Sequence, residues 1–173
     1  MPLSRSAKKT LVLLADLVAR VRTPVSRNGY TREVDDLPNA EGPPRLVKQF
    51  HQLCKGLCAL RGLREPDANV LAILCRVARD TMPPIRERIL RVLFTRGRAT
   101  QTSLSITADL PWATISRELE ECKLAHLVLC DEKQWRLTRS VREMMVAVSL
   151  FSEERGRKAA KPSAERPGGE SPS

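Results

Sequence analysis

The segment from Pro84 to Thr138 constrains the fold more than any other part of the chain, because its apolar residues change spacing in a defined order. Three stretches have helical spacing, and a shorter stretch with strand character follows them. The helical sets are Ile85, Ile89, Val92 and Leu93, then Leu104, Ile106 and Leu110, then Ile115, Leu119 and Cys122 after Pro111. The pattern next predicts a strand at Leu127–Leu129, a turn at Asp131–Lys133 and a returning strand at Gln134–Leu137. We therefore expect three helices followed by a hairpin.

The stretch Leu110–Leu119, with the sequence LPWATISREL, resembles the recognition helix of bacterial winged-helix regulators. Those helices have a small polar residue, a β-branched apolar residue, then Ser-Arg and a leucine. The continuation Cys122–Val128 resembles their helix exit, with Ala125 and His126 in place of the usual small residue and glycine. The resemblance covers residues 84–138 and implies a winged helix-turn-helix, a module that usually places one helix in a DNA groove.

The expected DNA-binding residues lie on the outer side of the third helix and in the hairpin. In the helix they are Trp112, Thr114, Ser116 and Arg117, and in the hairpin they are Lys133, Trp135 and Arg136. Arginine can bind guanine or phosphate with two nitrogens, and hydroxyl groups can bond to bases or to the backbone. The partial positive charge at a helix N-terminus favours the same contacts.

An alternative explanation is that this surface binds protein or has only an architectural role. Trp112 is then a core or interface residue, and Trp135 is a cover over the hydrophobic core. Three glutamates on the same helix, Glu118, Glu120 and Glu121, would repel phosphate unless they point away from it. The orientation of these carboxylates therefore decides between the two explanations.

A second resemblance covers residues 41–84. The stretches Glu41–Leu46, Gln49–Leu57 and Val77–Pro84, with Gly62 and Asp67 between them, resemble the helical lid of AAA+ ATPases. Arg45 matches an arginine that senses nucleotide phosphate in that family, although it also fits an ordinary solvated residue at a helix start. The sequence has no G-x-x-x-x-G-K-[ST] loop and no Walker-B strand. This resemblance implies a non-catalytic lid plus winged-helix module of an ATPase system, acting by protein contact.

The expected fold class is mainly α, with a helical N-terminal part followed by a winged helix-turn-helix with a small β-hairpin. Aromatic residues make up 3% of the chain, so the core must be aliphatic. We expect an N-terminal helix and irregular linker (1–43), a two-helix lid-like segment (44–83), the winged helix-turn-helix (84–138), a C-terminal helix (139–151) and a disordered tail (152–173).

A formal net charge of +10 suits a polyanionic partner, although the basic residues are spread along the chain. We expect double-stranded DNA as the partner, with an ATPase or a second copy of the chain as further partners. The predicted location is the cytoplasm, since no stretch approaches the length of a membrane span.

The sequence predicts neither an enzyme site nor a cofactor. His51, Cys54 and Cys58 share part of one helical face, but no second cluster accompanies them, and structural zinc needs four ligands. The five cysteines contain no CxxC pair and are expected to be buried thiols.

Overall fold

The computed structural model describes residues 3–26 and 42–151, which are mainly helical and contain one small antiparallel sheet. The predicted tail at 152–173 and most of the predicted linker lie outside these ranges. The helices are α1 (Arg5–Arg22), α2 (Pro44–Leu60), α3 (Ala68–Asp80), α4 (Pro84–Arg96), α5 (Gln101–Ala108), α6 (Trp112–Leu124) and α7 (Arg139–Ala147). The strands are β1 (Ala99–Thr100), β2 (Val128–Asp131) and β3 (Gln134–Leu137).

Helix α1 lies at the centre of the helical part and packs against α2, α3 and α7. It begins at a capping residue, because the Ser4 hydroxyl accepts a hydrogen bond from the Ala7 N–H at 3.2 Å. Its apolar face, which includes Leu14, Leu17 and Val18, is fully buried. Helical spacing predicts Leu11, Leu14, Leu17, Val18 and Val21 on one face of this helix, and all five are buried.

Proline, glycine and aspartate residues mark the ends of α2 and α3. Pro44 occupies the first turn of α2, where a missing N–H costs no helical hydrogen bond. Gly62 follows the helix with a φ of 65°, a conformation that glycine adopts without strain. The Asp67 carboxylate then caps α3 by accepting a bond from the Val70 N–H at 2.8 Å.

Helix α4 organises the second half of the chain, since it contacts α5, α6, β1 and β3. The sheet has the order β1-β3-β2 and is antiparallel throughout. Val128 pairs with Leu137, and both side chains are buried. Strand β1 was not predicted from the sequence because two residues are too few to show an alternating pattern.

The hairpin is shifted slightly from its predicted position. Strand β2 extends to Asp131, so the turn contains only Glu132 and Lys133. Both turn residues have positive φ, at 49° and 63°, which is the geometry of a type I′ turn and matches the twist of the flanking strands.

Left-handed residues other than glycine also end α5 and α6. Asp109 follows α5 with a φ of 52°, and His126 follows α6 with a φ of 55°. The Leu127 N–H reaches back to the Cys122 carbonyl at 2.9 Å, which closes the last turn of α6. The helix exit is thus formed without the glycine that is usual in the resembled family.

Two sequence predictions about helix faces need correction. The buried face of α4 includes Arg86, Leu90 and Phe94, which the predicted stripe omitted, whereas Ile85 and Val92 are only partly buried. Ile106, placed in the apolar set of the second helix, is 77% exposed because α5 buries Leu104 and Ala108 instead.

Helix α7 ends earlier than predicted. It stops at Ala147 rather than near Phe151, since Ser149 adopts a left-handed conformation with a φ of 54°. The turn that follows directs Phe151 onto Phe94, with ring centroids 5.5 Å apart.

Buried residues from Leu3 to Phe151 form one contiguous apolar cluster. This cluster crosses the boundaries expected near residues 43, 83 and 138, so the five-segment division remains a prediction about domains. In the described ranges, no helix has both the length and the apolarity that crossing a bilayer requires.

Replacing Leu17 by alanine tests whether α1 is the central helix. The side chain is fully buried, so Leu17→Ala should lower the free energy of unfolding by about 2–5 kcal/mol. Val12 on the same helix is 46% exposed, so Val12→Ala should change it by about 0.5 kcal/mol or less. Urea denaturation measures both values, and similar effects for the two variants would contradict the assigned packing.

Candidate nucleic-acid interface

The outer side of α6 is exposed where the sequence predicted a binding surface. Trp112 is 57% exposed, and the Arg117 side chain is 59% exposed. Thr114 and Ser116 are half-buried at the flanks. On the opposite side, Ile115, Leu119 and Cys122 are fully buried, as predicted from their spacing.

The first turn of α6 has no side-chain cap. Pro111 occupies the N-cap position and has no side-chain group that could accept a bond from the helix. The preceding turn is held by the Ser105 hydroxyl, which donates to the Leu110 carbonyl at 2.6 Å. The backbone N–H groups of the first turn therefore point outward with the partial positive charge of the helix end.

A buried arginine holds α6 against the rest of the fold. Arg86, on α4, has a side chain that is only 6% exposed. Its Nε donates to Glu118 Oε2 at 3.3 Å, and its Nη2 donates to Glu121 Oε2 at 2.8 Å. Its Nη1 donates to the carbonyls of Val21 and Thr23 at 2.9 and 2.6 Å. One guanidinium thus connects the end of α1, the start of α4 and the flank of α6.

This network decides the orientation of two of the three glutamates that would oppose DNA binding. The side chains of Glu118 and Glu121 are 13% and 12% exposed because they turn onto Arg86. Glu118 also lies 3.7 Å from Arg117, on its other oxygen. Glu120 stays exposed, next to the outer side of the helix. Of the three glutamates on α6, only Glu120 is therefore exposed at the outer surface.

The predicted hairpin residues occupy three different environments. Lys133 is exposed at the tip of the turn. Trp135 is half-buried and packs against the core, on the same face of β3 as Leu137. Arg136 is half-buried on the other face, opposite Leu129. Only Lys133 is therefore presented to solvent without restriction.

Arg45, the nucleotide-sensing candidate of the ATPase interpretation, does not lie on α6 or in the hairpin. Arg45 is exposed in the first turn of α2, in a different element from the other seven candidates. The structure brings Trp112, Thr114, Ser116 and Arg117 together on one helix, and it does not place Arg45 among them.

Sequence reasoning missed the residues that orient the surface. Arg86 shares the buried face of α4 with Ile89, Leu90 and Leu93. A prediction based on apolar spacing does not place a charged residue on such a face. A detectable signal was the pair of glutamates three residues apart on α6, beside its apolar stripe. It also missed Lys123, which is exposed near the end of the same helix.

Comparisons with known proteins give little further information. No protein-family model matches the chain, and no curated protein is significantly similar to it. One solved structure, described as the crystal structure of ligand-free NadR, is similar over 54% of this chain and 79% of that chain. The identity is 19% and the TM-score is 0.39, so this similarity supports no conclusion about fold or function.

The described residues offer no metal centre. Within 3–26 and 42–151, no three His, Cys, Asp or Glu side chains are placed to share an ion. Cys54 and Cys58 are buried on α2, and burial, followed by the neighbouring Cys58 thiol, raises the pKa of Cys54 to about 11. Burial likewise raises the pKa of Cys122 to about 12, against the opposing effect of Arg86.

Replacing Arg86 by methionine tests the anchoring of α6. The change leaves two buried carboxylates without their cation, so Arg86→Met should lower the free energy of unfolding by about 3–5 kcal/mol. Adding Glu118→Gln and Glu121→Gln should recover part of that loss, because the uncompensated charges are then removed.

The matched control is Arg98→Met, since Arg98 is exposed just beyond the end of the same helix. Its effect on the free energy of unfolding should stay near 0.5 kcal/mol, roughly the range of surface substitutions. If denaturation shows equal losses for Arg86→Met and Arg98→Met, the network does not anchor α6.

The raised pKa of the Cys122 thiol leads us to expect a loss of stability at alkaline pH. Its pKa rises from 9.0 to about 12 on folding, so the thiol ionises in the unfolded chain first. The stabilising contribution is complete below pH 9.0 and is lost as the pH rises toward about 12. Urea denaturation at a series of pH values should show this decline. It should be shallower in Cys122→Ala and unchanged in Cys130→Ala, whose thiol is exposed.

Proposed function

We propose that this chain binds duplex DNA through a winged helix-turn-helix at residues 84–138, with a role in transcriptional control. In this proposal α6 is the recognition helix, α5 is the preceding helix of the motif, and β2 and β3 form the wing. The order of elements, from α4 through β1, α5 and α6 to the hairpin, supports the proposal.

The orientation of Glu118 and Glu121 is the observation that favours DNA over protein as the partner. A helix with three exposed carboxylates would repel phosphate, but on α6 the carboxylates of Glu118 and Glu121 form buried ion pairs with Arg86. The exposed surface then presents Arg117 and Lys123 with only Glu120 to oppose them. Together with an uncapped helix start, this arrangement suits a polyanion.

The candidates divide into two roles in this proposal. Arg117 and Ser116 lie where side chains of a recognition helix reach base edges in the major groove. Trp112 and Thr114, at the start of α6, approach the sugar-phosphate backbone. Lys133 at the tip of the wing contacts the adjacent phosphates, whereas Trp135 and Arg136 support the wing from within the sheet.

Replacing Arg117 by alanine tests the assignment of α6. Binding is measured by fluorescence anisotropy, first with random duplex DNA and then with a site selected from it. Arg117→Ala should weaken binding to the selected site by about 1–3 kcal/mol if the guanidinium contacts a base. The fold should be unaffected, because Arg117 is largely exposed and its ion pair with Glu118 spans 3.7 Å.

The control is Arg64→Ala, which removes the same charge from an exposed residue between α2 and α3. Binding should also weaken steeply with salt, since phosphate contacts release counterions. Unchanged affinity in Arg117→Ala, or no binding by the parent chain, would overturn the proposal. A salt-insensitive interaction through Trp112 would instead favour a protein partner.

A further inference from the structure

A pair of arginines lies on the outer face of the three-stranded sheet, where β1 meets β3. The two strands are antiparallel, and Ala99 pairs with Trp135. Arg98 and Arg136 come one position further along each strand, so the same register places them opposite each other. Directly opposed residues have their side chains on one face, and successive residues point to opposite faces. Because Trp135 packs against the core, the two arginines are on the outer face.

The positive charges of this pair are not balanced by the groups around them. Arg98 is exposed, and Arg136 is half-buried with an Nε atom that is buried and has no hydrogen-bond partner. Within residues 3–26 and 42–151, neither guanidinium forms an ion pair. Asp131 is on the same face, opposite Gln134, and its exposed carboxylate is not paired with either arginine. Like charges directly opposite each other destabilise a sheet, so an anion between the two arginines is favourable.

The arginine pair is close to the start of α6, where the candidate binding residues lie. Thr100, two residues after Arg98, caps α5 by accepting a bond from the Ser103 N–H at 3.2 Å. The next side chain, that of Gln101, donates from Nε2 to the Trp112 carbonyl at 3.4 Å. Three residues span at most about 11 Å, so Arg98 is a short distance from the first turn of α6. Each DNA strand has one phosphate per about 3.4 Å of helix axis, so one duplex can contact both places.

We propose that Arg98 and Arg136 together bind one backbone phosphate of the duplex that α6 contacts. This assignment rests on the proposed function and extends the DNA surface from the hairpin to the edge strand β1. The planar fork of arginine matches two phosphate oxygens with paired hydrogen bonds. The stem of Arg136 supports the wing from within the sheet, while its charged end reaches outward to the phosphate. A phosphate contact fixes the position of the protein on DNA without reading the sequence.

The salt dependence of DNA binding tests this proposal, because it counts the phosphates that are contacted. Binding is measured by fluorescence anisotropy at a series of salt concentrations, with random duplex DNA and with a selected site. Arg98→Gln combined with Arg136→Gln should make the slope of log affinity against log salt shallower by about 0.9, the value for one phosphate. The affinity should fall about tenfold, and by the same factor for both DNAs.

The matched control is Arg5→Gln combined with Arg64→Gln, which removes two exposed positive charges elsewhere and should leave the slope unchanged. Circular dichroism verifies that each variant is folded. The proposal is overturned if the two double variants change the slope equally. It is also overturned if the sheet variant weakens only the selected site, since the arginines then read bases.

A measurement without DNA tests the unbalanced charge itself. Arg98→Gln removes one of two opposed positive charges, so it should raise the urea midpoint of unfolding in about 10 mM salt. The gain should disappear in about 1 M salt, where the screening length is roughly 3 Å. Arg64→Gln should show no such salt-dependent gain. Equal behaviour of the two variants would show that Arg98 and Arg136 do not repel each other, and the shared phosphate would lose its basis.

The outcomes separate this proposal from the proposed function. If Arg117→Ala weakens binding to the selected site while the sheet variant binds like the parent chain, α6 binds DNA and the arginine pair does not. If the parent chain does not bind duplex DNA, both proposals fail.

Discussion

The contacts of the Arg86 guanidinium determine how the outer surface of α6 is presented. A buried cation is costly unless its N–H groups are satisfied and its charge is balanced. Two carboxylates and two backbone carbonyls meet both conditions at distances of 2.6–3.3 Å. Because the partners come from α1 and α6, the orientation of α6 depends on a helix that lies more than 60 residues earlier in the chain.

Such a network is better understood as a source of specificity than of net stability. Replacing a buried ion pair by apolar residues is often neutral or stabilising, so burial alone does not explain its presence. The apolar stripe of α6 has only three fully buried residues, Ile115, Leu119 and Cys122. A stripe of that width tolerates small rotations of the helix about its axis. Two charged hydrogen bonds on one flank exclude those rotations, since any rotation would leave a carboxylate buried without its partner.

The sequence predicted the elements of the fold better than their environments. Apolar spacing and proline positions located α1, α2, α3, α4 and α6, because these signals depend only on local structure. The pairing of β1 and the burial of Arg86 depend on residues far along the chain, so no local pattern could predict them. The left-handed turn that ends α7 early likewise accompanies a distant contact, that of Phe151 with Phe94.

In the candidate site, too, some features depend on local sequence and others on distant residues. Exposure of Trp112 and Arg117 followed from the buried positions of α6, whereas the half-buried state of Trp135 and Arg136 depends on how the sheet lies against α4. The sequence indicates that the glutamates of α6 would repel phosphate. The position of Arg86 beside two of them depends on the tertiary structure, so the sequence does not predict it.

Helix α4 contacts both other helices of the motif, through opposite sides. At 100° per residue, positions 86 and 88 point in nearly opposite directions, so Arg86 faces α6 while Arg88 reaches the end of α5. The contacts on the Arg86 side are short and buried, whereas the Arg88 bond to the Ala108 carbonyl is long and only partly buried. The polar contacts of α4 therefore hold the flank of α6 more firmly than the end of α5.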